Sequence, residues 1–165
     1  MITGPRVTAL DFDGVLNNGT TTTLFTGELL GTAFQTIGLD PDNVAVFNNF
    51  QKRADTKIVV SSSWRWGRTV KELAKILKDA GVLGEVIGAT PQLGTRRGTE
   101  IQAWLDANPP VSGLVIFDDD QDMEHLEPWL VRTSPQTGIR KKHVQLAHKV
   151  LARPIPGTKG GSASL

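Results

Sequence analysis

The chain has no cysteine among its 165 residues. That excludes a disulfide framework, a thiolate metal site and a cysteine nucleophile, and it fits a reducing compartment. No apolar run approaches the ~18 residues that a membrane-spanning helix needs, and the N-terminus shows no basic flank leading into a long apolar region. A cytoplasmic protein with no membrane partner is the expectation. Acid is missing from one end of the chain. Residues 128–165 hold seven Lys/Arg and no Asp or Glu, whereas residues 1–127 hold 11 Lys/Arg against 17 Asp/Glu. The formal charge of +1 hides this split. It suggests an anionic partner for the basic end, or two ends that neutralise each other within one fold.

What is present is the composition of a globular domain, 39% hydrophobic and 21% charged. The length suits one domain with a full core. Residues 1–153 read as that domain, and 154–165, rich in Gly, Ser and Pro, as a flexible tail. Strand and helix signals alternate throughout. Short apolar runs at Val7–Leu10, Lys57–Val60, Val86-Ile87, Leu114–Phe117 and Leu130-Val131 predict strands. Between them, apolar residues at helical spacing predict helices: Val44, Phe47 and Phe50 after an Asp40-Pro41 start; Val70 to Ala80; Ile101, Trp104 and Leu105; and Val144 to Leu151. Buried strands without alternation, each followed by a helix, predict an α/β fold with a parallel central sheet flanked by helices. Ligands of such sheets bind at the carboxyl ends of the strands.

Those strand ends carry the polar chemistry. The first delivers Asp11 and Asp13, on one side of the chain with Phe12 on the other. Two carboxylates so close are costly to bury without a cation, so the pair suits a divalent metal. The second strand delivers Ser61-Ser62-Ser63-Trp64-Arg65. Arg96-Arg97 opens the helix of Ile101 and Trp104, and the fourth strand runs into Asp118-Asp119-Asp120 with Asp122 behind.

Asp11-Phe12-Asp13-Gly14-Val15, Ser61, Arg96 or Arg97, and Asp118-Asp119 with Asp122 occur in the order of the four motifs of the haloacid dehalogenase (HAD) superfamily, which the chain resembles. The phrases Val60–Arg65, Arg97–Ile101 with Trp104-Leu105, Phe117–Asp122 and Thr133…Thr137-Gly138 resemble the small HAD domains associated with Swiss-army-knife RNA-repair proteins. The resemblance implies a Rossmann-like HAD fold and a phosphomonoesterase. Asp11 would be the nucleophile that forms an aspartyl-phosphate, and Asp13 the general acid and then base. Mg²⁺ would sit between the Asp11 carboxylate, the Asp13 backbone carbonyl, Asp118 and the substrate phosphate, with Asp119 or Asp122 holding a water. Asp119 is an alternative ligand to Asp118. Ser61, helped by the Ser62 backbone, would bind a phosphoryl oxygen, and Arg97, or Arg96, would offset the anionic charge.

Neither the interval between Asp13 and Ser61 nor that between Ser61 and Arg97 has room for a folded cap. The expectation is a capless site, or a minimal flap from residues 19–39. An open site suits a large substrate such as a nucleic-acid end, or else a nucleotide. Trp64 could stack a base there, as could Trp66, and Arg65 could reach a second phosphate. Arg140-Lys141-Lys142 could track a polynucleotide backbone. The alternatives are a small-metabolite phosphatase with 19–39 as a lid, and a non-catalytic phosphate- or nucleic-acid-binding module. A phospho-signalling receiver domain is disfavoured, because no Asp ends the Val86-Ile87 strand.

Overall fold

A computed structural model describes residues 3–19, 21 and 38–156. Five strands, β1 (Arg6–Leu10), β2 (Lys57–Val60), β3 (Val86–Ala89), β4 (Gly113–Asp118) and β5 (Leu130–Arg132), form one sheet in the order β3-β2-β1-β4-β5. Every neighbouring pair is parallel. Among the described residues four α-helices cover it: α1 (Pro41–Ala54), α2 (Val70–Asp79), α3 (Arg97–Ala107) and α4 (Lys141–Leu151). This is the Rossmann-like arrangement expected from the alternating signals.

Side chains of each strand alternate between two cores. Leu10, Ile58, Val60, Val115 and Phe117 face Phe47 and Phe50 of α1, Leu73 and Leu77 of α2, and Ala147 and Val150 of α4. Val7, Ala9, Val59, Leu114 and Ile116 face Ile101 and Trp104 of α3, with Met123 and Leu126. The central strands β1, β2 and β4 are buried on both faces, which is why their sequences are mostly apolar rather than alternating.

The helix starts follow local chemistry. Asp40 caps α1 by accepting the Asp42 N–H, with Pro41 at the first position. Thr69 and Glu72 form a reciprocal capping box on α2. Gly98, in the first turn of α3, has the Met123 carbonyl oxygen 2.0 Å from where a Cβ would stand. Any larger residue would push α3 off the loop that follows β4. That close approach sets where Arg97 lies.

The interval between Ser61 and Arg97 is filled by a 3₁₀ turn (Ser63–Arg65), α2 and β3, so no cap is inserted there. The flap expected within 19–39 falls largely outside the described residues. Pro154 and Ile155, assigned from sequence to a flexible tail, are tied to the body. The Trp129 indole donates to the Pro154 carbonyl, and Ile155 packs on the α3-side core. Residues 157–165 lie outside the described part. Among the described residues no helix is long and apolar enough to cross a membrane.

Candidate active site

β1 is the central strand, and its carboxyl end is flanked by those of β2 and β4. Asp11 leaves β1 with 6% of its surface exposed, and its carboxylate accepts the N–H of Phe12 at 2.8 Å. Asp118 ends β4 fully buried, and Asp119 follows it half-buried. One carboxylate oxygen from each of Asp11, Asp118 and Asp119 lies within 4.8 Å of the others. Gly14 makes room for the third. Its φ is +78°, and a Cβ there would stand 2.2 Å from Asp119 Oδ2, so the Asp119 carboxylate occupies space that only glycine leaves open. Thr133 closes the ring from β5, donating its hydroxyl to the Gly14 carbonyl and its N–H to the Asp118 carbonyl.

Burial raises the Asp11 carboxyl well above the ordinary aspartate range, the neighbouring Asp118 adds to this, and Arg97 opposes it. Burial also pushes Asp118 up to about 6, against the pull of Arg97, and raises Asp119. The Asp118 Oδ2 is buried with no hydrogen-bond partner, and the Arg97 guanidinium approaches it only to 3.9 Å. Hard oxygen donors, crowded together and with the Asp118 Oδ2 unpartnered, fit a divalent cation such as Mg²⁺.

The sign of the resulting pH dependence follows directly. In the metal-free fold Asp118 keeps its proton up to about pH 6, whereas the unfolded chain releases it near 3.8. Its contribution to stability is whole below about pH 4 and is lost as pH rises through 6. Thermal unfolding in chelator should therefore show Asp118→Asn gaining on the natural chain between pH 4 and pH 7. A difference that is flat with pH would refute the raised carboxyl.

Ser61, at the end of β2, has a buried hydroxyl without a partner. Ser62 is buried beside it and caps the 3₁₀ turn by accepting the Trp64 N–H. Asp13 is exposed at the rim, and its Oδ1 takes two donors, the Asn17 amide at 2.8 Å and the Trp64 indole at 3.1 Å. Asn17 itself is held by the Gly14 N–H and the Gly38 carbonyl. Arg97 is the arginine that faces the carboxylates, with Nη1 buried and unpartnered. Arg96 is exposed and paired with Glu124 at 3.7 Å.

Several sequence expectations are corrected here. Arg96 is drawn to Glu124 and does not join the site. Asp122 lies outside the cluster of Asp11, Asp118 and Asp119: its Oδ2 accepts the Arg97 N–H and its carbonyl the Gly98 N–H, so it caps α3, while its Oδ1 is buried without a partner. Trp64 is not a free stacking surface, because its ring packs edge-on against Phe12 and its N–H holds Asp13. Arg65 does not reach out for a phosphate. It is buried, bonds Glu100 at 2.7 Å, and donates to the Ser62 and Thr90 carbonyls at 2.8 and 2.9 Å. The positioning parts of Trp64, Glu100 and Thr133 have no local sequence signal, since Asp13, Arg65 and Gly14, which they hold, lie 51, 35 and 119 residues away.

The fold and this set of strand-end residues define a HAD-type domain. Residues 7–144 match the family model described as the HAD domain in Swiss Army Knife RNA repair proteins, and the chain belongs to that family. No curated protein matches the chain.

Proposed function

We propose that the protein is a Mg²⁺-dependent phosphomonoesterase acting on nucleic-acid ends or nucleotides through an aspartyl-phosphate. The observation that carries this reading is the convergence of Asp11, Asp118 and Asp119 within 4.8 Å, beside the unpartnered Ser61 hydroxyl and Arg97 guanidinium. Asp11, Asp118 and Asp119 would hold the cation, which when bound supplies positive charge against the carboxylates and the phosphoryl oxygens.

The chain's own groups divide the rest. The Asp11 carboxylate attacks phosphorus, forming a P–O bond as the bond to the leaving oxygen breaks. Asp13 gives its proton to that oxygen. The two donors on Oδ1 fix the Asp13 carboxyl and leave Oδ2 to carry the proton. In the second half Asp13 takes a proton from water, whose oxygen attacks phosphorus and frees Asp11. The Ser61 hydroxyl donates to a phosphoryl oxygen, and Arg97 spreads charge from the other side.

The test is phosphate release from 5′- and 3′-phosphorylated oligonucleotides and free nucleotides, with Mg²⁺ and with EDTA. Release should require Mg²⁺, disappear in EDTA and return when Mg²⁺ is restored in excess. Release from small phosphates alone would point to a lidded site. No release from any phosphoester would sink the proposal.

A further inference from the structure

Beside the carboxylate cluster a groove of about 490 Å³ runs outward from Arg97. One wall is the turn after β2, which presents Trp66, and the other is the β3–α3 loop, which presents Gln92, Leu93 and Thr95. Resting on the phosphomonoesterase reading, we propose that this groove is the leaving-group subsite and that it takes a nucleobase, stacked on Trp66, next to the phosphate being removed.

Exposed apolar surface is the first argument. Trp66 is 56% exposed and Leu93 51%, and both line this one groove. The indole offers a large flat apolar face with a polar edge, a combination enriched where proteins bind partners. The second argument is rigidity. The backbone of Trp66 is fixed, its main-chain N–H donating to the Ser63 carbonyl at the end of a turn capped by Ser62. Arg65, next to it, reaches across to Glu100, whose other carboxylate oxygen accepts the Leu93 N–H at 2.9 Å. One buried ion pair thus braces both walls. A subsite held open in advance loses little entropy when it is filled.

Charge selects the occupant. Arg65 and Glu100 neutralise each other, with side chains only 4% and 6% exposed. One oxygen of the Asp122 carboxylate is engaged with the Arg97 N–H, and the other is buried without a partner. What remains to a ligand, among the described residues, is a flat indole face, a leucine, an amide, a hydroxyl and that one carboxylate oxygen, with the guanidinium of Arg97 at the inner end. A second phosphate finds no cation of its own there. A flat, uncharged, hydrogen-bonding ring does find a partner for its face and for its edge. The volume is within the range of small-ligand sites.

The experiment compares nucleotides with the same phosphoester lacking a base. Kinetics are measured on 5′-AMP, 3′-AMP and ribose 5-phosphate with the full chain, Trp66→Ala and Trp66→Phe. The natural chain should favour one AMP isomer over ribose 5-phosphate through KM. Trp66→Ala should raise that KM roughly 5- to 100-fold, the size expected for loss of one stacked base. The kcat should stay within about twofold, ribose 5-phosphate should be unaffected, and Trp66→Phe should keep most of the preference. Equal treatment of AMP and ribose 5-phosphate, or equal damage to both in Trp66→Ala, overturns the subsite.

Calorimetric binding to an Asp11→Asn background separates this from the reaction itself. Tighter binding of AMP than of ribose 5-phosphate, erased by Trp66→Ala, supports the subsite even if no substrate is hydrolysed, in which case the phosphatase reading fails alone. Hydrolysis with no such difference in binding overturns the subsite alone.

Discussion

Asp11→Asn should lower kcat for phosphate release by a factor on the order of 10⁴–10⁶, the loss seen when a covalent nucleophile is removed from an otherwise intact site. The amide has the shape of the carboxylate but no electron pair of comparable nucleophilicity, and it is a poorer ligand for a hard cation. The fold should not suffer. Asp11 is buried among like charges, and both burial and Asp118 disfavour its ionised form. Replacing it by a neutral isostere removes that repulsion, so the metal-free variant should unfold at a temperature equal to or above that of the natural chain. Activity and stability would then move in opposite directions, which no general damage to the fold can produce. Phosphate release under single-turnover conditions, alongside calorimetric unfolding in EDTA, measures both. Retained turnover in Asp11→Asn would show that another group attacks phosphorus.

Arg65→Met carries the second large effect, this time on stability. The Arg65–Glu100 pair is buried, and removing one partner leaves the other charged and dry, at a cost of about 3–5 kcal/mol. For a domain of this size that corresponds to a fall in Tm of roughly 6–20 °C. The Ser62 and Thr90 carbonyls lose a donor as well. Arg65→Met combined with Glu100→Leu should recover part of the loss, because no lone charge remains, but not all of it, because those carbonyls and the Leu93 N–H stay unpaired. Urea unfolding of the two single variants and the double variant gives the coupling. A loss under 1 kcal/mol for Arg65→Met would mean that water reaches the pair.

The strands were readable because burial on both faces makes the middle of each central strand a run of mostly apolar residues. The site acids were readable because a parallel sheet places its strand ends along one edge, so Asp11, Ser61 and Asp118 fall together once the strands are found. Arg65 was not readable. Four residues past a site serine it looks like a substrate contact, and only the fold brings Glu100, 35 residues later, beneath it. Trp64 misled in the same way, since the carboxylate that occupies its N–H comes 51 residues earlier in the chain. Asp122 has metal-like spacing from Asp118, but the chain turns back after β4 and delivers it to the start of α3. The choice between Arg96 and Arg97 depended on where α3 begins, a boundary that neighbouring identical residues cannot mark.

The strand order has a consequence for how the protein comes into being. β1 pairs with β2 and with β4, so that Val7 lies beside Lys57 on one side and Leu114 on the other. Contacts this distant along the chain close large loops, which makes such topologies slow to fold. A chain emerging from the ribosome holds Asp11 more than a hundred residues before its partners Asp118 and Asp119 have been synthesised. No early, half-built form can assemble the carboxylate cluster. The site is finished only when the sheet is, so an incomplete chain carries the acids without the cluster they form.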